Sequence, residues 1–275
     1  MSSMDEVILA INFIEANLTK KMDLDMISGA VHYSKYHLHR VFSDTVGLTI
    51  HDYIQRRQLT ESAKLLVFSC KPIVQIAFLS GYQSQQAFTN AFTAMYKMPP
   101  NMYRENERFY PLQLKFNFEG SYEMLDRKEK ASWEISFASD EDIPDWIDGF
   151  PHLNEEEYIR VLRQKISTRQ ALILKDGGTA IGIMLFSYEN GSIDFMGSHP
   201  LYRKRGVPKA MLDKVMRELL KGKEISITTY REGDKADTGY RKEIMGMGFA
   251  EAELLVEYGY PTQRFILQQE ERDHE

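Results

Sequence analysis

Through residues 1–104 the apolar positions keep a helical spacing, strand-like alternation is scarce, and turn glycines stand at Gly29, Gly47 and Gly81. Laid on itself at an offset of 50 residues, this stretch echoes. Ser34 falls on Ser84, Leu38 on Phe88, Phe42 on Phe92, Leu48 on Met98 and Tyr53 on Tyr103. Each copy predicts a short helix ending in small residues (Leu24 to Ala30; Ile73 to Ser80), then a turn, a serine N-cap and a second helix. That is a helix-turn-helix, twice. In each second helix an i, i+4 apolar pair, Leu38 with Phe42 and Phe88 with Phe92, packs one face.

The pattern loosens after Glu105. Tyr110–Phe116 alternates like a strand, and Asp126–Lys130 is a charge run of the kind found at exposed joints. From Trp133 strand and helix signals alternate. Strands are predicted over Trp133–Phe137, Ala171–Lys175, Thr179–Ser187, Ser192–Gly197, Glu224–Tyr230, Glu253–Tyr258 and Arg264–Leu267. Asp176-Gly177-Gly178 marks a hairpin between the second and third of them. Helices are predicted over Asn154–Ile166, with Asn154 as N-cap and Glu157 in the capping-box position, over about Pro208–Leu220, and over Gly239–Met247. The expected fold class is therefore two-domain: an all-α double helix-turn-helix over residues 1–104, a linker over 105–131, and a mixed α/β domain over 132–275.

Composition sharpens this division. Hydrophobic residues make up 43% of the 275 positions and charged residues 27%, the balance of a globular protein. No apolar run reaches the roughly 20 residues a bilayer span needs, so no membrane partner is expected. Met1 to Glu6 has no basic region, and the lone Cys70 can form no internal disulfide, which together suit a reducing cytoplasm. The net charge of −6 hides an asymmetry: 10 Lys+Arg against 8 Asp+Glu in residues 1–104, and 24 against 32 in the remainder. The helical half is slightly basic and the other half acidic, so the overall balance does not exclude nucleic acid.

The faces opposite the apolar stripes carry chemistry. The first offers Tyr36, His39 and Arg40; the second offers Gln85, Gln86, Thr89 and Asn90. Arg can fork onto guanine, Gln and Asn can pair with adenine, and an aromatic ring can pack on a thymine methyl. His32, His37 and His39 do not share a helix face and no Cys or acid completes a shell, so no metal site is expected. Three strings carry a resemblance: Tyr33-Ser34-Lys35-Tyr36-His37-Leu38-His39-Arg40-Val41-Phe42, Gly81-Tyr82-Gln83-Ser84-Gln85-Gln86-Ala87-Phe88, and Pro99-Pro100-Asn101-Met102-Tyr103-Arg104. Residues 7–104 resemble the DNA-binding domain of the AraC/XylS family, most closely its MarA, SoxS and Rob type of stress regulator. The resemblance implies two reading helices in successive major grooves of double-stranded DNA, joined by a long rigid helix (here about Thr49–Leu66). It assigns base readout to Tyr36, His39 and Arg40 in one groove and to Gln85 and Gln86 in the other. Asn90 stands where close relatives carry Arg. RNA polymerase is a partner in keeping with such a regulator.

In the second half the stretch Ile193 to Met211 draws attention. A strand ends, and Tyr202-Arg203-Lys204-Arg205-Gly206-Val207-Pro208 leads directly into an amphipathic helix. Backbone N–H groups at a helix start, with a glycine allowing close approach and three cations nearby, form a pyrophosphate cradle. The hairpin before this motif, the order of elements and the closing Met247-Gly248-Phe249 resemble the GNAT acyltransferase superfamily over about residues 132–270. Of its Arg/Gln-x-x-Gly-x-Gly/Ala motif, Arg203 and Gly206 match, while Pro208 replaces the last small residue and removes one N–H donor. The resemblance implies acetyl-CoA as cofactor, its pantetheine arm beside Met196, Gly197 and Ser198 and its pyrophosphate over Arg203, Lys204, Arg205, Gly206 and Val207. Acyl transfer to an amine needs an acid for the departing thiolate and a base for the ammonium. Tyr240 is the matching acid, and Asp194 and Glu189 are the candidate bases.

The expected function is a DNA-binding transcription regulator whose second domain binds acetyl-CoA and senses or acetylates a small amine. Two alternatives stand beside it. One is an amine N-acetyltransferase carrying its own regulator domain, and the other is an inactive GNAT-like fold serving as ligand pocket or dimer surface.

Overall fold

The computed structural model describes residues 3–113, 115–116, 133–144, 156–203, 205–257 and 259–268. The chain divides into two compact units, Met1–Glu119 and Gly120–Glu275. Among the described residues no helix is long and apolar enough to cross a membrane.

The first unit is helical: α1 (Ser3–Ala16), α2 (Leu24–Val31), α3 (Lys35–Val46), α4 (Ile50–Phe68), α5 (Ile73–Leu79), α6 (Gln85–Tyr96) and α7 (Pro100–Glu105). The sequence repeat is a structural repeat. Helices α3 and α6 are both 12 residues long and begin 50 residues apart, each behind a serine whose hydroxyl accepts a first-turn amide. Both end in the left-handed region, at Gly47 (φ 76°) and at Lys97 (φ 61°). The following helix then folds back and presents a tyrosine to a phenylalanine. Phe42 and Tyr53 meet edge to face at 5.6 Å, and Phe92 and Tyr103 do so at 5.2 Å.

The predicted strand over Tyr110–Phe116 does not form among the described residues; Leu114 lies outside them. The segment instead lies against α4. The amides of Leu112 and Gln113 both donate to the Thr60 hydroxyl at 3.1 Å, and the Gln113 carbonyl accepts from Arg57 at 3.0 Å. Phe116 is buried and stacks on Tyr53. The apolar alternation is genuine, but helix side chains rather than a neighbouring strand satisfy its backbone groups.

The second unit is a seven-stranded mixed sheet in the order β1-β2-β3-β4-β5-β7-β6. Its strands are β1 (Trp133–Phe137), β2 (Ala171–Asp176), β3 (Thr179–Phe186), β4 (Ser192–Ser198), β5 (Ile225–Tyr230), β6 (Ala250–Glu257) and β7 (Tyr260–Leu267). All neighbours are antiparallel except β4 and β5. Helix α8 (Glu156–Ser167) contributes Leu162 and Ile166 to one core. Helices α9 (Val207–Lys214) and α10 (Tyr240–Gly246) contribute Val207, Met211 and Ile244 to the other. The last two strands start earlier than predicted, because β6 and β7 pair with each other from Ala250–Ile266 to Glu257–Tyr260. The helix predicted to run to Leu220 changes hand-hold instead: Val215–Leu219 is a π turn, closed by Leu220 N–H on the Val215 carbonyl at 2.7 Å. The predicted N-cap Asn154 lies outside the described residues.

Two features of this unit bear on the predicted cradle. Strands β4 and β5 pair only at Ser192–Ser226 and Ile193–Ile227; beyond that, β4 pairs with β3 alone and β5 with β7 alone. The two parallel strands therefore part toward their C-terminal ends, where open α/β sheets form their crevices. Close by in the chain, α9 packs tightly on the sheet. A Cβ on Gly182 of β3 would stand 2.4 Å from a Val207 methyl. Only glycine lets the first turn of α9 seat there.

Candidate nucleic-acid interface and anion cradle

On α3 the apolar pair Leu38 and Phe42 is fully buried, which turns the opposite face to solvent. Tyr36 is 80% exposed, and His39 and Arg40 are exposed beside it. The helix is held from below: Ser34 caps it, and His37 is hydrogen-bonded through Nε2 to Glu6 of α1 at 2.8 Å. Lys35 pairs with Asp25 of α2. His39 also borders a cleft of about 190 Å³ lined by Met22, Leu24, Ile50, His51 and Ile54, so it stands at the edge of the face rather than its middle.

On α6 the buried pair is Phe88 and Phe92. Gln85, Gln86 and Asn90 are exposed and Thr89 is half-buried. Gln86 donates from Nε2 to Asn90 Oδ1 at 2.9 Å. Fifty residues earlier, the same two positions are Tyr36 and Arg40.

The two faces are spaced by α4, whose 19 residues span about 28 Å at 1.5 Å per residue. This helix is stiffened from inside. Arg57 donates to Glu15 at 2.8 Å from both Nε and Nη2, and to Glu61 at 2.9 Å. Burial opposes its charge, but the hydrogen bond and charge of Glu15, with Tyr53 and Glu61 beside it, together outweigh that and raise its pKa. Gln58 ties α4 to the Leu18 carbonyl, and Ser62 donates to Ser80.

In the second unit the predicted cradle follows the C-terminal end of β4. Gly206 adopts φ 81° as N-cap of α9, and the space where its Cβ would stand is open. Pro208 occupies the first turn, where a helix has amides without internal acceptors. Arg203 and Arg205 are half-buried; Lys204 lies outside the described residues. The Arg205 guanidinium sits 4.7 Å over the Tyr202 ring. The buried Tyr202 hydroxyl donates to buried Asp176 at 2.7 Å. This support was missed in the sequence because its partners are 26 residues apart and belong to different elements. Met196 and Ser198 are half-buried and Gly197 is buried on β4, along the parting from β5.

The three predicted catalytic residues lie in different surroundings. Tyr240 opens α10 and is 38% exposed. One turn on, Glu243 has its carboxyl pKa raised by desolvation, against the pull of the Arg203 charge, which places α10 within electrostatic reach of the cradle. Asp194 is bound elsewhere: it pairs with Lys165 of α8 and accepts from the Ser192 hydroxyl at 2.5 Å. Glu189 is exposed in the turn before β4, at the opposite end of that strand from the cradle. The structure thus leaves Glu189 apart from the cradle.

Paired helix-turn-helix units, each with a capped and exposed second helix, define a double helix-turn-helix protein joined to a mixed α/β unit. A helix-turn-helix domain family matches residues 27–106. The transcriptional activator AarP of Providencia stuartii is 38% identical over 98 residues, covering 36% of this chain and 73% of that protein. The multiple antibiotic resistance protein MarA of Salmonella typhimurium is 37% identical over 94 residues, covering 34% of this chain and 74% of that protein. The chain belongs to the AraC/XylS family of helix-turn-helix proteins. The match to the HTH-type transcriptional regulator YbfP of Bacillus subtilis, 38% identical, spans only 32% of that longer protein. For the second unit, a GNAT-family acetyltransferase structure from Bacillus cereus covers 50% of this chain at 14% identity and a TM-score of 0.43, a likeness too slight for an activity to be read from it.

Proposed function

We propose that the chain is a sequence-specific DNA-binding transcription regulator that sets α3 and α6 into two successive major grooves of a duplex. The observation that carries this reading is the repeated frame: two reader helices of equal length, equally capped, equally braced by a Phe–Tyr contact, and held apart by a buried, ion-paired α4. A dimer is not required for two half-sites, because one chain carries both readers. Arg40 forks onto a base and Tyr36 packs beside it. Arg40→Ala is expected to weaken binding to the cognate duplex by about 1–3 kcal/mol, read by fluorescence anisotropy at fixed salt. Unchanged affinity would remove Arg40 from the reading face.

The finer reading concerns the second unit: it binds acetyl-CoA and senses or acetylates a small amine. The parting of β4 from β5 and the glycine-capped start of α9 support it. Arg203, Arg205 and the amides of Gly206 and Val207 would hold the pyrophosphate, and Met196, Gly197 and Ser198 would border the arm. When bound, the cofactor supplies an acyl thioester open to attack by an amine. Tyr240, partly exposed at the start of α10, would hand a proton to the leaving thiolate. Asp194, engaged by Lys165 and Ser192, serves better as a brace between α8 and β4 than as a base. Calorimetric titration of acetyl-CoA into the full chain tests this. Saturable binding that Arg203→Ala weakens is the expected result, and no heat with the unaltered chain would dismiss the cofactor.

A further inference from the structure

We infer that Asn90 is a positioning residue for Gln86, and that their hydrogen bond makes the second reader helix select adenine over guanine at one position of its half-site. This rests on the DNA-reading proposal above and goes further, to the base chosen and the reason. The observation is the exposed bond from Gln86 Nε2 to Asn90 Oδ1 at 2.9 Å, one turn apart on the outward face of α6.

The argument is a count of donors. A free glutamine amide has two N–H donors and one carbonyl acceptor. Adenine presents one acceptor, N7, and one donor, N6–H, in the major groove; guanine presents two acceptors, N7 and O6. An unrestrained Gln86 can therefore meet either base, giving one N–H and its oxygen to adenine, or turning its amide so that the NH2 group alone faces the guanine acceptors. With one N–H already given to Asn90, Gln86 keeps one donor and one acceptor. That set matches adenine and leaves one guanine acceptor unmet. The bond also fixes the terminal torsion of Gln86 before DNA arrives, so less side-chain freedom is lost on binding.

The corresponding positions of the first copy, Tyr36 and Arg40, cannot make such a pair. Arg40 offers donors only and suits guanine. The two readers thus differ in kind: a cationic one matched to guanine, and a neutral amide pair matched to adenine.

The test is selection of bound sequences from a randomised duplex pool by the full chain, followed by competition binding of adenine and guanine versions of the selected site. Four proteins are compared: the unaltered chain, Gln86→Ala, Asn90→Ala and Asn90→Asp. All three substitutions lie on an exposed helix face, and circular dichroism checks that each protein folds. Gln86→Ala identifies the position it reads by abolishing preference there. The unaltered chain is expected to favour adenine over guanine at that position by about tenfold, the scale of one bidentate contact. Asn90→Ala is expected to lower this ratio to about twofold while leaving the other half-site unchanged, since it frees the second N–H. Asn90→Asp keeps the accepting oxygen and is expected to retain the ratio while binding more weakly overall, through phosphate repulsion.

An undiminished ratio in Asn90→Ala would overturn the inference. So would loss of the ratio in Asn90→Asp, which would assign the effect to the donors of Asn90 instead. A selected site in which Gln86→Ala changes no position would overturn the inference alone. Failure of the unaltered chain to select any common sequence would overturn the DNA-reading proposal, and the inference with it.

Discussion

In the first helix-turn-helix copy, Tyr53 donates its hydroxyl to Glu15 at 2.9 Å and lies beside the buried, ion-paired Arg57. Fifty residues on, Tyr103 meets a backbone carbonyl instead. Its hydroxyl donates to the Tyr110 carbonyl at 3.3 Å, which also accepts from Tyr96, and the rings of Phe92, Tyr96, Tyr103 and Tyr110 pack together. Desolvation raises the pKa of Tyr53 and of Tyr96 alike, so both hydroxyls stay neutral donors. One reader helix is thus braced over a buried charge network and the other over an aromatic cluster. What the copies share is the Phe–Tyr edge contact and the serine cap. The lesson is that this frame is set by shape, at the ring contact, while the polar groups beneath it need only be satisfied in some way.

Three measurements would break or sharpen that comparison. The largest effect is expected from the shared contact. Phe42→Ala and Phe92→Ala each remove a fully buried ring and should each destabilise the helical unit by about 3–5 kcal/mol, read by urea unfolding with far-ultraviolet dichroism. If one costs less than about 1 kcal/mol, the copies do not share a frame.

A middle effect separates the helical unit from the sheet. Burial lowers the pKa of His199 to about 4, so the unfolded chain, with an ordinary histidine, binds this proton more readily than the folded one. Stability from this group is present above the unfolded value and is lost as pH falls toward the folded one. Between about pH 7.5 and about pH 5 the sheet unit should lose about 2 kcal/mol on this account. Both tryptophans, Trp133 and Trp146, belong to that unit, so their fluorescence reports its unfolding alone. His199→Asn keeps an acceptor for the Leu201 amide and should flatten the acid limb; an unchanged slope would acquit His199.

The smallest effect tests the caps. Ser34→Ala and Ser84→Ala should each cost about 1 kcal/mol, and nearly equally, because both hydroxyls accept a first-turn amide.

The helical unit was largely legible from local signals. Ser34 and Ser84 announced their helices as caps, and α4, expected over about Thr49–Leu66, begins behind Thr49 as its cap and runs two residues past Leu66. The first five predicted strands lie within one residue of those observed, because hairpin glycines and apolar runs are short-range features. Misreadings fell where partners are remote. The Tyr110–Phe116 alternation looked like a strand until Thr60 and Arg57 supplied its hydrogen bonds. Remote partners also add what the sequence does not show: Asp194, named as a candidate base, is paired with Lys165, 29 residues away.

By itself the sequence determined the repeat, the caps, the exposed reader faces and the division into a helical and a mixed unit. Each of these follows from periodicity or from groups within a turn of one another. Only the tertiary structure decided that Gln86 and Asn90 are bonded, that β4 and β5 part after two pairs, and that Tyr202 and Asp176 support Arg205. The last two depend on which distant elements become neighbours, and the first on which rotamers an exposed pair adopts. The spacing of apolar and polar residues constrains neither, because both are settled by packing and hydrogen-bond geometry in three dimensions.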